Sequence, residues 1–291
     1  MAASFAPNLP TNNGSAIRVL EIRMLYIKIL QEPTAYIQFM GMFLRRLCGI
    51  SKIQDILFRD QRRRYTAMPS TPGTFRVEPA REEDMPRCMQ LILNAFGPFP
   101  NFDIIGGGPD SEETRRLNAE RHLRGYKEHL EKYPSVSPGV KCVYTDPATG
   151  EDKIVGFAEW FVWDRERTEE EYMVENYILR MEWVEDPAKR KLVLDTMEPE
   201  IALRRSIMKG RPFALLCYMC VDPEYRRRGA ATACVRYGMD RCEELGIPAY
   251  LEASEEGMKT YKTLGWEVYE GHGEKMMFPP MIWWPPNVQK E

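Results

Sequence analysis

The stretch Phe213-Ala-Leu-Leu-Cys-Tyr-Met-Cys-Val221 is almost continuously apolar, and Asp222-Pro-Glu-Tyr-Arg226-Arg-Arg-Gly229-Ala-Ala231 follows it. Such a run, bounded by a proline-containing break, is the pattern of a strand buried on both faces. Beyond Gly229, apolar or small residues recur at helical spacing (Ala231, Val235, Gly238, Cys242, Leu245), and Gly246 with Pro248 ends the helix. A buried strand therefore delivers a glycine-containing, arginine-rich loop to a helix N-terminus. Unpaired backbone N–H groups and the positive end of the dipole make that terminus a site for an anion. Gly229 lets the backbone come close, Ala230 and Ala231 keep the approach narrow, and Arg226, Arg227 and Arg228 add charge. The expected ligand carries a phosphate, better a pyrophosphate. A solvated basic turn ahead of an ordinary helix is the competing reading.

Downstream, Ala249–Ala253 reads as a second strand. Ser254 is an N-cap backed by Glu255 and Glu256, opening a short helix that ends at Gly265. Upstream, Phe75–Ala80 alternates like a strand, and Glu82, Glu83 and Asp84 stand at the front of a helix reaching about Phe96. Ser111 caps a second helix to about Tyr133. Val140–Thr145 and Lys153–Trp163 are strands joined by the turn Asp146–Gly150, and the charged segment Arg165–Lys209 is a helical insertion. Gly106-Gly107-Gly108 is no phosphate loop, because no Gly-Lys-Ser/Thr follows; it is expected as a surface loop near the site.

Of the 291 residues, 29% are charged and 44% hydrophobic, which excludes a collagen-like or wholly disordered chain. The net charge of −3 gives no drive toward nucleic acid, and no apolar stretch is long enough for a transmembrane segment. Residues 1–67 differ in character, with ten Lys/Arg against four Asp/Glu. They form a basic, hydrophobic extension ahead of the domain at 68–291. The extension reads as a targeting presequence, as a peripheral amphipathic helix, or as a segment outside the functional protein, which then starts at Met68. Seven cysteines without a disulfide framework suggest an intracellular, cytoplasmic setting, nuclear also fitting and mitochondrial only if the extension is a presequence. Cys217 and Cys220 resemble a zinc or redox pair, but three residues apart on a regular strand they face opposite ways. His122 and His129, seven apart, and the lone His272 lack partners at ligand spacing, so no metal is expected.

Val221–Ala231 resembles the Arg/Gln-x-x-Gly-x-Gly/Ala loop that binds the pyrophosphate of acetyl-CoA in GNAT acetyltransferases. Ser254-Glu-Glu-Gly257-Met-Lys-Thr-Tyr261-Lys-Thr-Leu-Gly265-Trp266 is similar to that superfamily's second motif, and Phe75–Phe96 to its strand–helix opening. The flavour of Leu251–Ser254 is similar to uncharacterised fungal members. Ser254 stands where many members have Asn, and Trp266 where Phe is common. The resemblance implies an α+β fold, a central, mostly antiparallel twisted sheet splayed at the cofactor site, with helices on both faces.

It also implies an acetyl-CoA-dependent N-acetyltransferase that acts on a primary amine by direct attack in a ternary complex, with no nucleic acid, as a monomer or homodimer. The pantetheine arm would lie against Met219, Cys220 and Val221 like an added strand, and the pyrophosphate on the N–H groups of Arg227 to Thr232. Ser254 would add a cofactor contact. Tyr261 matches the family's acid, protonated at neutral pH as a phenol is. For the general base two carboxylates compete. Glu252 shares a strand face with Tyr250 and Ser254, and Glu159 one with Phe157 and Phe161, an apolar setting that raises a carboxylate pKa. A water chain to solvent is the third option. Substrate selection is expected from 96–133, the insertion and Glu274–Pro286, where Phe99, Phe102, Trp160, Trp163, Tyr172, Tyr177, Trp183, Trp283 and Trp284 are dense. The acidic bulk of the domain favours a cationic acceptor mildly. The rival from another class is a non-catalytic, acyl-CoA-binding or scaffold module.

Overall fold

The computed structural model describes residues 74–173, 180–270, 276, 278–286 and 288–290. The extension at 1–67, the start at Met68, Tyr177 and His272 lie outside the described residues. All described residues fall within the unit Thr71–Glu291.

Fourteen elements position the site: β1 Thr74–Pro79, α1 Met85–Phe96, α2 Phe102–Ile105, α3 Glu112–Lys132, β2 Gly139–Thr145, β3 Asp152–Trp163, α4 Glu169–Tyr172, α5 Pro187–Met208, β4 Phe213–Val221, α6 Ala230–Leu245, β5 Ala249–Glu252, α7 Glu255–Thr263, β6 Glu267–Val268 and β7 Pro280–Trp283. The strands form one sheet in the order β1-β2-β3-β4-β5-β7-β6. Every neighbouring pair is antiparallel except β4 with β5. That is the mixed α+β, mostly antiparallel architecture the resemblance implied.

The helices take their ends from the expected local chemistry. Ser111 Oγ accepts from Thr114 N–H at 3.1 Å, Ser254 Oγ from Gly257 N–H at 3.1 Å, and Gly246 closes α6 in the left-handed region at φ 65°. Two expectations shift. Glu82–Asp84 form a separate 3₁₀ turn, with the Asp84 carboxylate accepting from Arg81 N–H and from Lys141 Nζ, so α1 begins at Met85-Pro86. Among its described residues the insertion holds the single turn α4 and the long α5, which opens on Pro187 and carries Pro199 inside.

Alternation along the strands sorts the core into two layers. Ala158, Trp160, Val162, Ala214 and Leu216 pack under α6 and α7, beside Val235, Cys242 and Tyr261. Phe157, Phe161, Phe213, Leu215 and Tyr250 pack under α1, α3 and α5, beside Met89, Tyr126 and Met208. Trp160 and Phe161, neighbours in sequence, thus serve opposite layers.

Two irregularities break the alternation, one between β2 and β3, where Val155 is the extra residue, and one between β3 and β4. Trp160 pairs with Leu216 and Glu159 with Tyr218, leaving Cys217 as an extra residue in β4. The β-bulge at Cys217 rotates β4, so that Cys217 and Cys220 both pack into the α1/α3 layer. The expectation that they face opposite ways is corrected: strict alternation fails across a bulge. Among the described residues no group of three or more His, Cys, Asp or Glu is placed to hold a metal ion, and no helix is long and apolar enough to cross a membrane.

Candidate active site

The bulge at Cys217 sits where β4 and β5 part. Those parallel strands pair only at Ala214↔Ala249 and Leu215↔Tyr250. From Leu216 to Val221, β4 pairs with β3 alone, so along Met219-Cys220-Val221 its other backbone edge has no strand partner among the described residues. An extended chain with amide groups can pair with such an edge as an added strand.

That edge leads directly to the loop before α6. Asp222 caps the turn Pro223–Tyr225, and Arg226 Nε donates to Val221 O at 3.2 Å. Arg227 and Gly229 both take left-handed conformations, at φ 60° and 99°. Successive turns of this kind point N–H groups into one concavity. The first helical bond is Ala233 N–H to Gly229 O, at 2.9 Å, so the N–H groups of Ala230, Ala231 and Thr232 precede the ladder. No side chain caps this terminus, and Arg226 and Arg227 are exposed around it, with Arg228 over the Tyr225 ring at 5.3 Å. A Cβ at position 229 would meet nothing within 4 Å, so among the protein's own atoms the glycine is needed for its φ.

Tyr261, on α7, is 8% exposed and packs beside Trp266 with ring centroids 5.9 Å apart. Burial holds its phenol above the usual range, and the neighbouring Cys220 thiol adds to the effect. Ser254, in the strand-to-helix corner, commits its hydroxyl to capping α7.

The two carboxylates proposed as bases occupy different settings on the α1/α3 side. Glu252 pairs with Arg204 of α5, with Nη1 at 2.9 and 3.1 Å from its oxygens. Burial raises its pKa and the Arg204 charge opposes that rise. Glu159 has no exposed surface at all. Its Oε1 accepts from the Tyr126 hydroxyl at 2.6 Å and lies 2.7 Å from His122 Nδ1. Between the two carboxylates stands Cys217, whose thiol is held protonated first by burial and then by the Glu159 charge.

His122 is the residue that sequence reading missed. It is 37 positions from Glu159, and each was read within its own segment. Their meeting depends on how α3 lies across β3. The histidine also lines a small cavity with Met89, Ile92, Phe102 and Tyr218, the last being the residue after the bulge. The weak sequence signal was positional: His122 and Tyr126 stand four apart on α3. The triple glycine contributes to the same cavity through Gly106, and a Cβ on Gly107 would come within 2.6 Å of Arg121 Nη1.

The arrangement therefore offers an open strand edge, an uncapped helix N-terminus beyond it, a protonated phenol on one side, and a His–Glu pair on the other. No curated protein matches the chain. Among solved structures, histone acetyltransferase HPA2 and related acetyltransferase from Corynebacterium glutamicum is 22% identical, with 76% of this chain and 100% of that one covered at a TM-score of 0.38. A mosquito arylalkylamine N-acetyltransferase like 5b is 15% identical, over 72% of this chain and 100% of that one, at 0.46. Ard1 from Thermoplasma volcanium is 12% identical, over 72% and 97%, at 0.37. The model of the acetyltransferase (GNAT) family matches residues 111–266, which take in α3, the splayed strands, the Gly229 loop and Tyr261. The chain belongs to the GNAT family of acetyltransferases.

Proposed function

We propose that the protein transfers the acetyl group of acetyl-CoA to a primary amine of a small molecule or peptide, by direct attack in a ternary complex. The observation that carries this reading is the continuity of the free β4 edge with the uncapped N-terminus of α6. Pantetheine amides pair with Met219 to Val221, and the pyrophosphate accepts from the N–H groups between Arg227 and Thr232, with Arg226, Arg227 and Arg228 adding charge. A backbone N–H at the bulge polarises the thioester carbonyl. The amine nitrogen attacks that carbon, the C–S bond breaks, and the thiolate takes the Tyr261 proton.

The proton leaving the amine goes to His122. Glu159 is wholly buried and holds the imidazole by its Nδ1, so the histidine meets the amine and the carboxylate orients it and stabilises its charge. Glu252 is assigned to anchoring: its ion pair with Arg204 ties α5 to β5. Ser254 keeps its capping role.

The test is calorimetric titration of the full chain with acetyl-CoA, beside a variant carrying Arg226→Ala, Arg227→Ala and Arg228→Ala. Micromolar binding that weakens about tenfold or more in the variant supports the site. Absence of binding by folded protein overturns it in favour of a scaffold.

A further inference from the structure

The cavity lined by His122 is also lined by Arg121, Trp183 and Gly106 of the glycine loop. Arg121 is half-buried, and its guanidinium lies 4.8 Å from the centroid of the Trp183 ring. Its contact to Asn118 Oδ1 is long, at 3.4 Å, and that amide already donates to Gly106 O and Thr114 O. Among the described residues no carboxylate reaches Arg121 within ion-pair distance, although Arg116 and Arg180 each hold two. Burial, together with the Arg124 charge, lowers its pKa against the opposing pull of the Glu120 charge, so this cation gains from an anion placed against it. Among the described residues the rest of the lining is apolar apart from His122, Asn118 and Tyr218, and it includes no acid.

We propose that this cavity seats the carboxylate end of the acceptor, and that Arg121 selects an amine carrying a carboxylate beside it, an α-amino acid. The proposal rests on the acetyltransferase reading above. Size decides between acceptor classes. The void is about 20 Å³, room for a carboxylate-sized group but not an aromatic ring. Arg121 and His122 are consecutive residues and both line it. An acceptor satisfying both must carry its anion and its amine close together, as the single carbon of an α-amino acid does. A planar guanidinium supplies the fork for the carboxylate, and its place over the Trp183 ring restrains it. The local charge at the cavity thus opposes the mild preference for cations that the acidic domain suggests.

The experiment measures CoA release by the full chain with two matched small pairs, alanine against ethylamine and serine against ethanolamine. The native enzyme is expected to favour the acid-bearing member of each pair by about tenfold or more in kcat/KM. In Arg121→Gln that ratio collapses toward one, through KM for the amino acid more than through kcat. Arg121→Lys, which keeps charge and loses the fork, falls between. A native ratio at or below one overturns the assignment, whatever the variants do. So does an Arg121→Gln variant that keeps the native ratio. Turnover of none of the four by protein that binds acetyl-CoA overturns the acceptor class and leaves the cofactor site standing. Failure to bind acetyl-CoA removes both.

Discussion

Tyr261 owes its proposed role to where α7 holds it. Ser254 caps the helix, Gly257 lies close enough that a Cβ would sit 3.0 Å from the tyrosine ring, and Trp266 closes the other side. The ring is thereby fixed and its phenol kept protonated by burial, which suits a donor to a departing thiolate. Replacing Tyr261 by Phe keeps the packing and removes only the proton. Turnover is expected to fall about 10²-fold or more, with acetyl-CoA affinity within about twofold. Steady-state kinetics beside calorimetry checks both, and an unchanged kcat removes Tyr261 from the mechanism. This residue was legible in the sequence because its whole motif is local, from Ser254 to Trp266. His122 was not, because its partner Glu159 arrives from another element and no local pattern joins them. Arg121 was invisible for a related reason: what marks it is that no carboxylate among the described residues pairs with it.

At the scale of elements, the packing of α6 on β3 explains a glycine that periodicity had placed on the core face without a reason. A Cβ at Gly238 would lie 2.1 Å from Cε2 of Trp160, so the indole occupies the space that any other residue there would need. This close approach sets how far α6 stands from the sheet, and with it the position of the Gly229 terminus. Gly238→Ala is expected to destabilise the fold by about 1–3 kcal/mol, lowering the melting temperature by several degrees. Since the cost arises at one ring, Trp160→Phe should make the second substitution milder, giving a coupling of at least about 0.5 kcal/mol in a double-mutant cycle. Strictly additive effects would contradict this account. The strands, helices and caps were readable because propensity, capping and periodicity are short-range. The bulge at Cys217 was not, since an extra residue shows only against the register of the partner strand. That one offset reversed the expected facing of Cys217 and Cys220.

Across the whole molecule, acid sensitivity separates by how deeply each titrating group is buried. His129 Nε2 lies 2.9 Å from Val162 O, a carbonyl that only accepts, so this nitrogen carries the proton of a neutral ring. Tyr133, Phe161 and Trp163 surround the imidazole at centroid distances of 5.1, 5.1 and 5.7 Å. Burial pushes its pKa down to about 4, against the milder pulls of Val162 O, Asp164 and Glu159 and with Arg167 reinforcing the fall. In the unfolded chain the same group titrates near 6.5. Between those values the unfolded state holds a proton the native state refuses, so stability is full above about 6.5 and falls as pH drops toward 4. At about 1.4 kcal/mol per unit, the loss reaches about 3 kcal/mol across that window. Glu171, held down to about 2 by Arg165, and Asp152, lowered by Arg76, lose their contributions further into acid. Glu252 slopes the other way, because burial raises its pKa and the native state then binds the extra proton. A difference measurement isolates the histidine from both. His129→Gln keeps an N–H donor for Val162 O but cannot ionise, so denaturant titrations from pH 7.5 to 4 should show the variant losing about 3 kcal/mol less than the native protein. Parallel curves would mean that His129 charges without cost in the fold, and that acid sensitivity resides in the carboxylates instead.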